Sequence, residues 1–199
     1  MRKVIDYYFW INSDWAYLGS DRLLEIAKRH DAKIIYKPVR LLEVYSRTGG
    51  IPLGQRAKER QDYRVVELKR WCEYLGIPVK PRPKYLTPND DAASCLVLAA
   101  IAEGHDPHEL IKDILAAEWC LDLDISDQSV LIDIANKGGL DGERLSSLAK
   151  DSAMAKTLDL NTEEAISRGV FGSPAYFVGN EHFWGQDRLE WVDRALVKL

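Results

Sequence analysis

Residues 4–18, Val4-Ile5-Asp6-Tyr7-Tyr8-Phe9-Trp10 followed by Ile11-Asn12-Ser13-Asp14-Trp15-Ala16-Tyr17-Leu18, decide the fold. The stretch 2–10, RKVIDYYFW, is dense in β-branched and aromatic residues and predicts a strand. Asn12-Ser13-Asp14 follows at once, and all three residue types favour helix N-termini. A helix is therefore expected from there to about His30, with Leu23, Ile26 and Ala27 on related faces. Lys33-Ile34-Ile35-Tyr36-Lys37-Pro38 reads as a second strand closed by proline. The opening is thus β-α-β, which favours parallel strands joined by a right-handed crossover.

The far end mirrors this start. Ala175-Tyr176-Phe177-Val178 reads as a buried strand, Gly179-Asn180-Glu181 as a turn and His182-Phe183-Trp184 as its partner strand. A last helix starts near Gln186-Asp187 and carries Leu189, Val192 and Leu196. Between the ends, Thr48–Gly54 is a glycine-containing loop and the pattern from about 58 to 165 is helical. Two breaks interrupt it, a proline-rich loop over 77–88 and Gly138-Gly139-Leu140-Asp141-Gly142. The order matches a thioredoxin-like α/β fold with an all-helical insertion. The expected units are residues 1–45 with 166–199 for the thioredoxin-like part, and 46–165 for the insertion.

Composition narrows the function classes. The 199 residues carry 27 Lys plus Arg against 31 Asp plus Glu, a net charge of −4, which argues against a nucleic-acid binder. No apolar run approaches a membrane span, and Met1–Asp6 lacks a signal peptide's apolar stretch, so a cytoplasmic location is expected. The three cysteines, Cys72, Cys95 and Cys120, are odd in number and widely spaced. They form neither a disulfide framework nor a C-x-x-C pair and are expected on helices as small apolar residues. The two imidazoles of His105-Asp106-Pro107-His108 lack a third ligand close by, so no metal is expected. Phosphate-binding glycine loops and a G-x-S-x-G elbow are absent from the sequence.

Three places could carry chemistry. Ser13 lies where the first strand meets the first helix, a position that serves equally as a plain N-cap or as an anion site at the carboxyl end of a strand. Ser173-Pro174 precedes a buried strand, where a cis bond would leave the backbone groups of Ser173 open to a ligand. Gln186-Asp187-Arg188 places an amide, an acid and a guanidinium at another helix start. They suit an amino acid's ammonium and carboxylate, or ordinary capping.

Taken in order, these segments resemble the family of 2-hydroxychromene-2-carboxylate isomerases and kappa-class glutathione transferases. Ser13–Leu18 resembles its S-P-[FWY]-[SA]-Y-L segment, Gly169–Pro174 its G-V-F-G-x-P, and Phe183–Leu189 its F-W-G-x-D-R-L. Tyr63–Trp71, YRVVELKRW, resembles its Y-x-x-x-D/E-L-x-R-W helix, and Pro83–Pro88 the proline-rich segment after it. The matches span residues 5 to about 196, with the isomerase branch the nearer.

The resemblance implies the fold of the disulfide oxidoreductase DsbA and a glutathione site. Ser13 would donate to the glutathione sulfur and favour thiolate. Ser173, before a cis Pro174, would pair through its backbone with the cysteinyl unit. Gln186 and Asp187 would hold the γ-glutamyl end, and Arg60, or Lys58, the glycine carboxylate. The implied reaction interconverts 2-hydroxychromene-2-carboxylate and trans-o-hydroxybenzylidenepyruvate in the breakdown of naphthalene-like aromatics. The implied partners are glutathione, a small aromatic substrate and a second copy in a homodimer. The alternatives are a kappa-like transferase or peroxidase with another acceptor, or a non-catalytic peptide-binding module. Ala16 stands where a dithiol would need cysteine. The insertion helices are expected to cover the substrate, with Trp15, Tyr45 and Tyr85 as rings able to stack on it. One departure is Asp14, where the family has proline. It is expected to point to solvent and complement the helix dipole.

Overall fold

The computed structural model describes residues 3–199; Arg2, the first residue of the expected strand, lies outside them. Strand β1 (Val4–Phe9) runs at the centre of a four-stranded sheet. Helix α1 (Asp14–Arg29) returns the chain to β2 (Lys33–Pro38), which pairs parallel to β1 with Val4 opposite Lys33 and Phe9 opposite Pro38. At the other end of the chain, β3 (Ala175–Val178) and β4 (Glu181–Trp184) form a hairpin. β3 lies antiparallel to β1, with Tyr8 opposite Ala175, so the strand order is β2-β1-β3-β4.

Strand alternation divides the core. Ile5, Tyr7 and Phe9 join Tyr176 and Val178 against α1 and the last helix. The rings of Tyr7 and Tyr176 stack at 5.2 Å. Tyr8, Ala175 and Phe177 face the other way, toward Val39, Val44 and Ala165. Two helices cover that second face: α2 (Leu41–Thr48), which the sequence reading left out, and α8 (Ser152–Ser167). The expected boundaries at 45/46 and 165/166 fall inside these two helices.

The insertion comprises α3 (Lys58–Leu75), α4 (Asp91–Ala102), α5 (His108–Trp119), α6 (Gln128–Lys137) and α7 (Gly142–Leu148), and α8 leads back to the sheet. Helix α4 is apolar all round and buried from Ala93 to Ala100, as an interior helix must be. Helix α3 is the opposite. Of its 18 residues Leu68 alone is buried, so it stands off the core and leaves a side chain-lined gap against the sheet end. The chain closes with a 3-10 turn at Gln186–Arg188 and helix α9 (Leu189–Val197). Cys72 lies on α3 and Cys95, buried, on α4. Cys120 follows α5, and all three are free thiols.

Candidate active site

The carboxyl end of β1 passes through Trp10–Ser13 into α1, and the residues just before β3 and just after β4 meet it there. Ser13 is the N-cap of α1, its Oγ accepting the Ala16 N–H at 3.2 Å. That bond uses a lone pair, so the hydroxyl proton stays available to a sulfur or oxygen in front of it. The Ser173–Pro174 bond is cis. Ser173 Oγ accepts the Trp10 N–H at 2.8 Å and ties the two loops together. Neither backbone group of Ser173 bonds to a described residue.

Two cavities meet at this point. A groove of about 700 Å³ runs between α3 and the β4–α9 connection, and Arg60, Ser173, Gln186 and Asp187 line it. A second cavity of about 480 Å³ opens beside Ser13, walled by Trp10, Leu41, Leu42, Tyr45, Leu53 and Leu86. Trp15, Arg56, Arg64, Ser173 and Trp184 line both, so the two adjoin across these residues.

Gly185 shapes the groove's end. Its φ of +99° is a left-handed value, and an added Cβ would lie 2.5 Å from Asp187 Oδ1. Gly172 permits a similar approach, since a Cβ there would lie 2.3 Å from Trp184 Nε1. The Asp187 carboxylate remains 41% exposed and pairs with Arg188 at 3.0 Å. Gln186 is buried, and its Oε1 accepts from Arg22 Nη2.

The structure brings together Ser13, Ser173, Gln186, Asp187 and Arg60 of the residues expected from sequence. Pro174 is buried behind Ser173 rather than exposed in either cavity. Lys58 does not join them: its ammonium pairs with Asp62 at 2.7 Å on the outer face of α3. Among the aromatic candidates, Trp15 and Tyr45 line the second cavity and Tyr85 does not.

The expectation for Asp14 is overturned. Its side chain is 6% exposed, forms an ion pair with Arg64 and accepts the Trp15 N–H at 2.9 Å. It faces the second cavity because Arg64 reaches it from α3 and offers a partner that solvent would otherwise supply. Burial pushes the Asp14 carboxyl above its ordinary range, against the pull of Arg64 and the Trp15 N–H. The guanidinium in turn lies over the Trp119 ring at 5.3 Å.

Sequence reasoning missed Arg64, Trp119, Asp90 and Glu118. Arg64 lay within the quoted YRVVELKRW helix, and an acid beside a candidate nucleophile-binding serine was the signal that a cation was needed. Asp90 accepts from Trp10 Nε1 at 2.9 Å, and burial raises its carboxyl as well. Glu118 is fully buried behind the floor, with Oε1 accepting the Thr87 N–H at 2.9 Å. Burial, reinforced by Asp14 and Asp90, pushes it up to about 8.

Three comparisons place this geometry among known proteins. Residues 4–197 match the DSBA-like thioredoxin domain. A 2-hydroxychromene-2-carboxylate isomerase of Sphingobium xenophagum is 28% identical over 99% of this chain and 100% of that protein. One of Pseudomonas putida is 28% identical over 98% and 95%. A solved structure of 2-hydroxychromene-2-carboxylate isomerase superposes with a TM-score of 0.85 at 27% identity, covering 98% of this chain and 95% of that one. No described helix is long and apolar enough to cross a membrane. The chain therefore belongs to the DSBA-like thioredoxin domain family, and it is similar along almost its whole length to proteins named 2-hydroxychromene-2-carboxylate isomerase.

Proposed function

We propose that the protein is a glutathione-dependent isomerase of aromatic catabolism that interconverts 2-hydroxychromene-2-carboxylate and trans-o-hydroxybenzylidenepyruvate. The carrying observation is that two adjoining cavities share Ser173, one bringing Arg60, Gln186 and Asp187 to it and the other bringing Ser13 together with Trp10, Trp15 and Tyr45. The groove fits an extended γ-glutamyl tripeptide. The unengaged backbone groups of Ser173 offer it a strand-like pairing. Asp187, still open to solvent, suits its ammonium, and Arg60 across the groove suits its terminal carboxylate. Gln186, already bonded to Arg22, shapes the wall and leaves its amide nitrogen for the γ-glutamyl end.

Bound glutathione would supply a thiolate for reversible addition to the unsaturated carbon, leaving a single bond about which the product geometry is reached. Ser13 donates its hydroxyl proton toward that thiolate and favours it over the thiol. Trp10, Trp15 and Tyr45 hold a planar ring in the second cavity. The Asp14–Arg64 pair keeps a negative charge beside the thiolate compensated, which an unpaired Asp14 would not. A cytoplasmic setting, where small thiols are kept reduced, suits this chemistry.

A glutathione titration followed by tryptophan fluorescence tests the reading, because Trp15 and Trp184 line both cavities. Saturable binding in the micromolar to low-millimolar range is expected, weakened about tenfold or more by Asp187→Ala. No binding at several millimolar, confirmed by calorimetry, would contradict it.

A further inference from the structure

Arg64 lies between the two cavities and gives only one of its guanidinium nitrogens to a described hydrogen bond. It sits on α3 and its guanidinium stands at the junction of the two cavities. Two contacts fix it, the ion pair from Nη2 to Asp14 and the face of Trp119 at 5.3 Å. A guanidinium has five N–H donors in a planar fork, and one edge can hold an acid while another receives a second anion. Arg64 donates to Asp14 alone among the described residues, and its side chain is 11% exposed. The other cation of the second cavity, Arg56, is committed: Nε donates to the Ile51 carbonyl at 2.8 Å and Nη2 to Tyr45 Oη at 3.2 Å.

We propose that Arg64 receives the carboxylate of the electrophile in the second cavity, and so selects planar aromatic acids over their neutral counterparts. The assignment rests on reading that cavity as the electrophile's. Three acids belong to this floor: Asp14 pairs with Arg64, Asp90 lines the same cavity and Glu118 lies behind it. Burial raises all three, and with Glu118 pushed up to about 8 it adds no negative charge at neutral pH. The donors of the Arg64 fork not given to Asp14 make no hydrogen bond to a described residue and are left to receive an anion. Asp14 makes the site possible in this chain: proline at that position would leave the arginine without its anchor. The ring of the bound acid would then lie between Trp15 and Tyr45, with its carboxylate toward α3.

The test is calorimetric titration with chromone-2-carboxylate and with chromone-2-carboxamide, both stable planar analogues, in the absence and presence of glutathione. The wild-type chain is expected to bind the acid at least tenfold more tightly than the amide. Since Arg64→Gln would strand a buried Asp14, the working variants are Asp14→Asn and Asp14→Asn/Arg64→Gln. The single variant keeps or enlarges the acid preference and the double variant abolishes it. A folding defect would weaken acid and amide alike, so the ratio reports the anion contact itself. Arg56→Gln keeps the preference. A preference that survives the loss of Arg64, a wild-type chain without one, or failure of the acid to bind at millimolar concentration overturns the proposal. If the preference tracks Arg64 while glutathione fails to bind, the cofactor reading falls and the anion site stands. If glutathione binds and the preference does not track Arg64, the anion site alone falls.

Discussion

The two cavities differ in how they are built, and the difference explains what each can do. The groove is assembled mainly from two walls, α3 on one side and the continuous stretch 184–188 around the end of β4 on the other. Asp187 there is placed by short-range backbone geometry, the positive φ of Gly185, and pairs with its neighbour Arg188. The second cavity draws on the β1–α1 junction, α2, the loop before α3, the proline-rich loop and the end of α5. Its buried charges are held by partners distant in sequence, Asp14 by Arg64 and Asp90 by Trp10. Under the proposed function, the first would bind the constant cofactor and the walls of the second would set the choice of substrate.

The sharpest way to separate the two is at Ser13, which lines the second cavity and, in the proposed reaction, would act on a thiol held by the groove. Ser13→Ala is expected to lower kcat about a hundredfold, the scale of losing one preorganised donor, while glutathione affinity changes less than threefold. Steady-state kinetics alongside fluorescence titration reads both. The same change removes the Ala16 cap and should cost ~1 kcal/mol of stability.

The composite floor carries a pH signature at Glu118. Glu118, ordinarily near 4.5, is pushed up to about 8 in the folded chain. Between those values the folded protein keeps a proton that the unfolded chain releases, so its contribution is full below the lower value and is lost as pH rises through the upper one. Glu118→Gln should flatten that fall, gaining on the order of 3 kcal/mol relative to wild type between pH 5 and pH 8.5. Urea midpoints at the two pH values check it; parallel curves would break the distinction between the cavities.

The smallest effect sharpens the groove's edge. Arg60→Ala should weaken glutathione binding at least threefold more than Lys58→Ala does. Lys58 is 78% exposed and paired with Asp62, and such surface pairs contribute little. Paired titrations under one buffer measure the ratio.

The same contrast governs what could be read from sequence. Strand β2 was legible to the residue, and β1 and α1 nearly so, because alternating aromatics and a serine cap are local signals. Helix α2 was missed: Arg40 makes no side-chain cap, and the glycine at 49, in a left-handed conformation at the helix end, read as loop. Gly142 was read as a break but opens α7, since Asp141 caps Arg144 and Asn136 Oδ1 accepts the Gly142 N–H at 2.9 Å. The groove's residues were legible through their local motif. Arg64 and Glu118 were not, because what makes them functional is a partner 50 residues away for the first and burial behind another loop for the second.

The most direct test of the account is the isomerisation of 2-hydroxychromene-2-carboxylate, followed by absorbance with the purified chain in the presence and absence of glutathione. The account predicts rapid approach to equilibrium that saturates with glutathione and a rate near background without it. Equal rates in both conditions, or none in either, would contradict it.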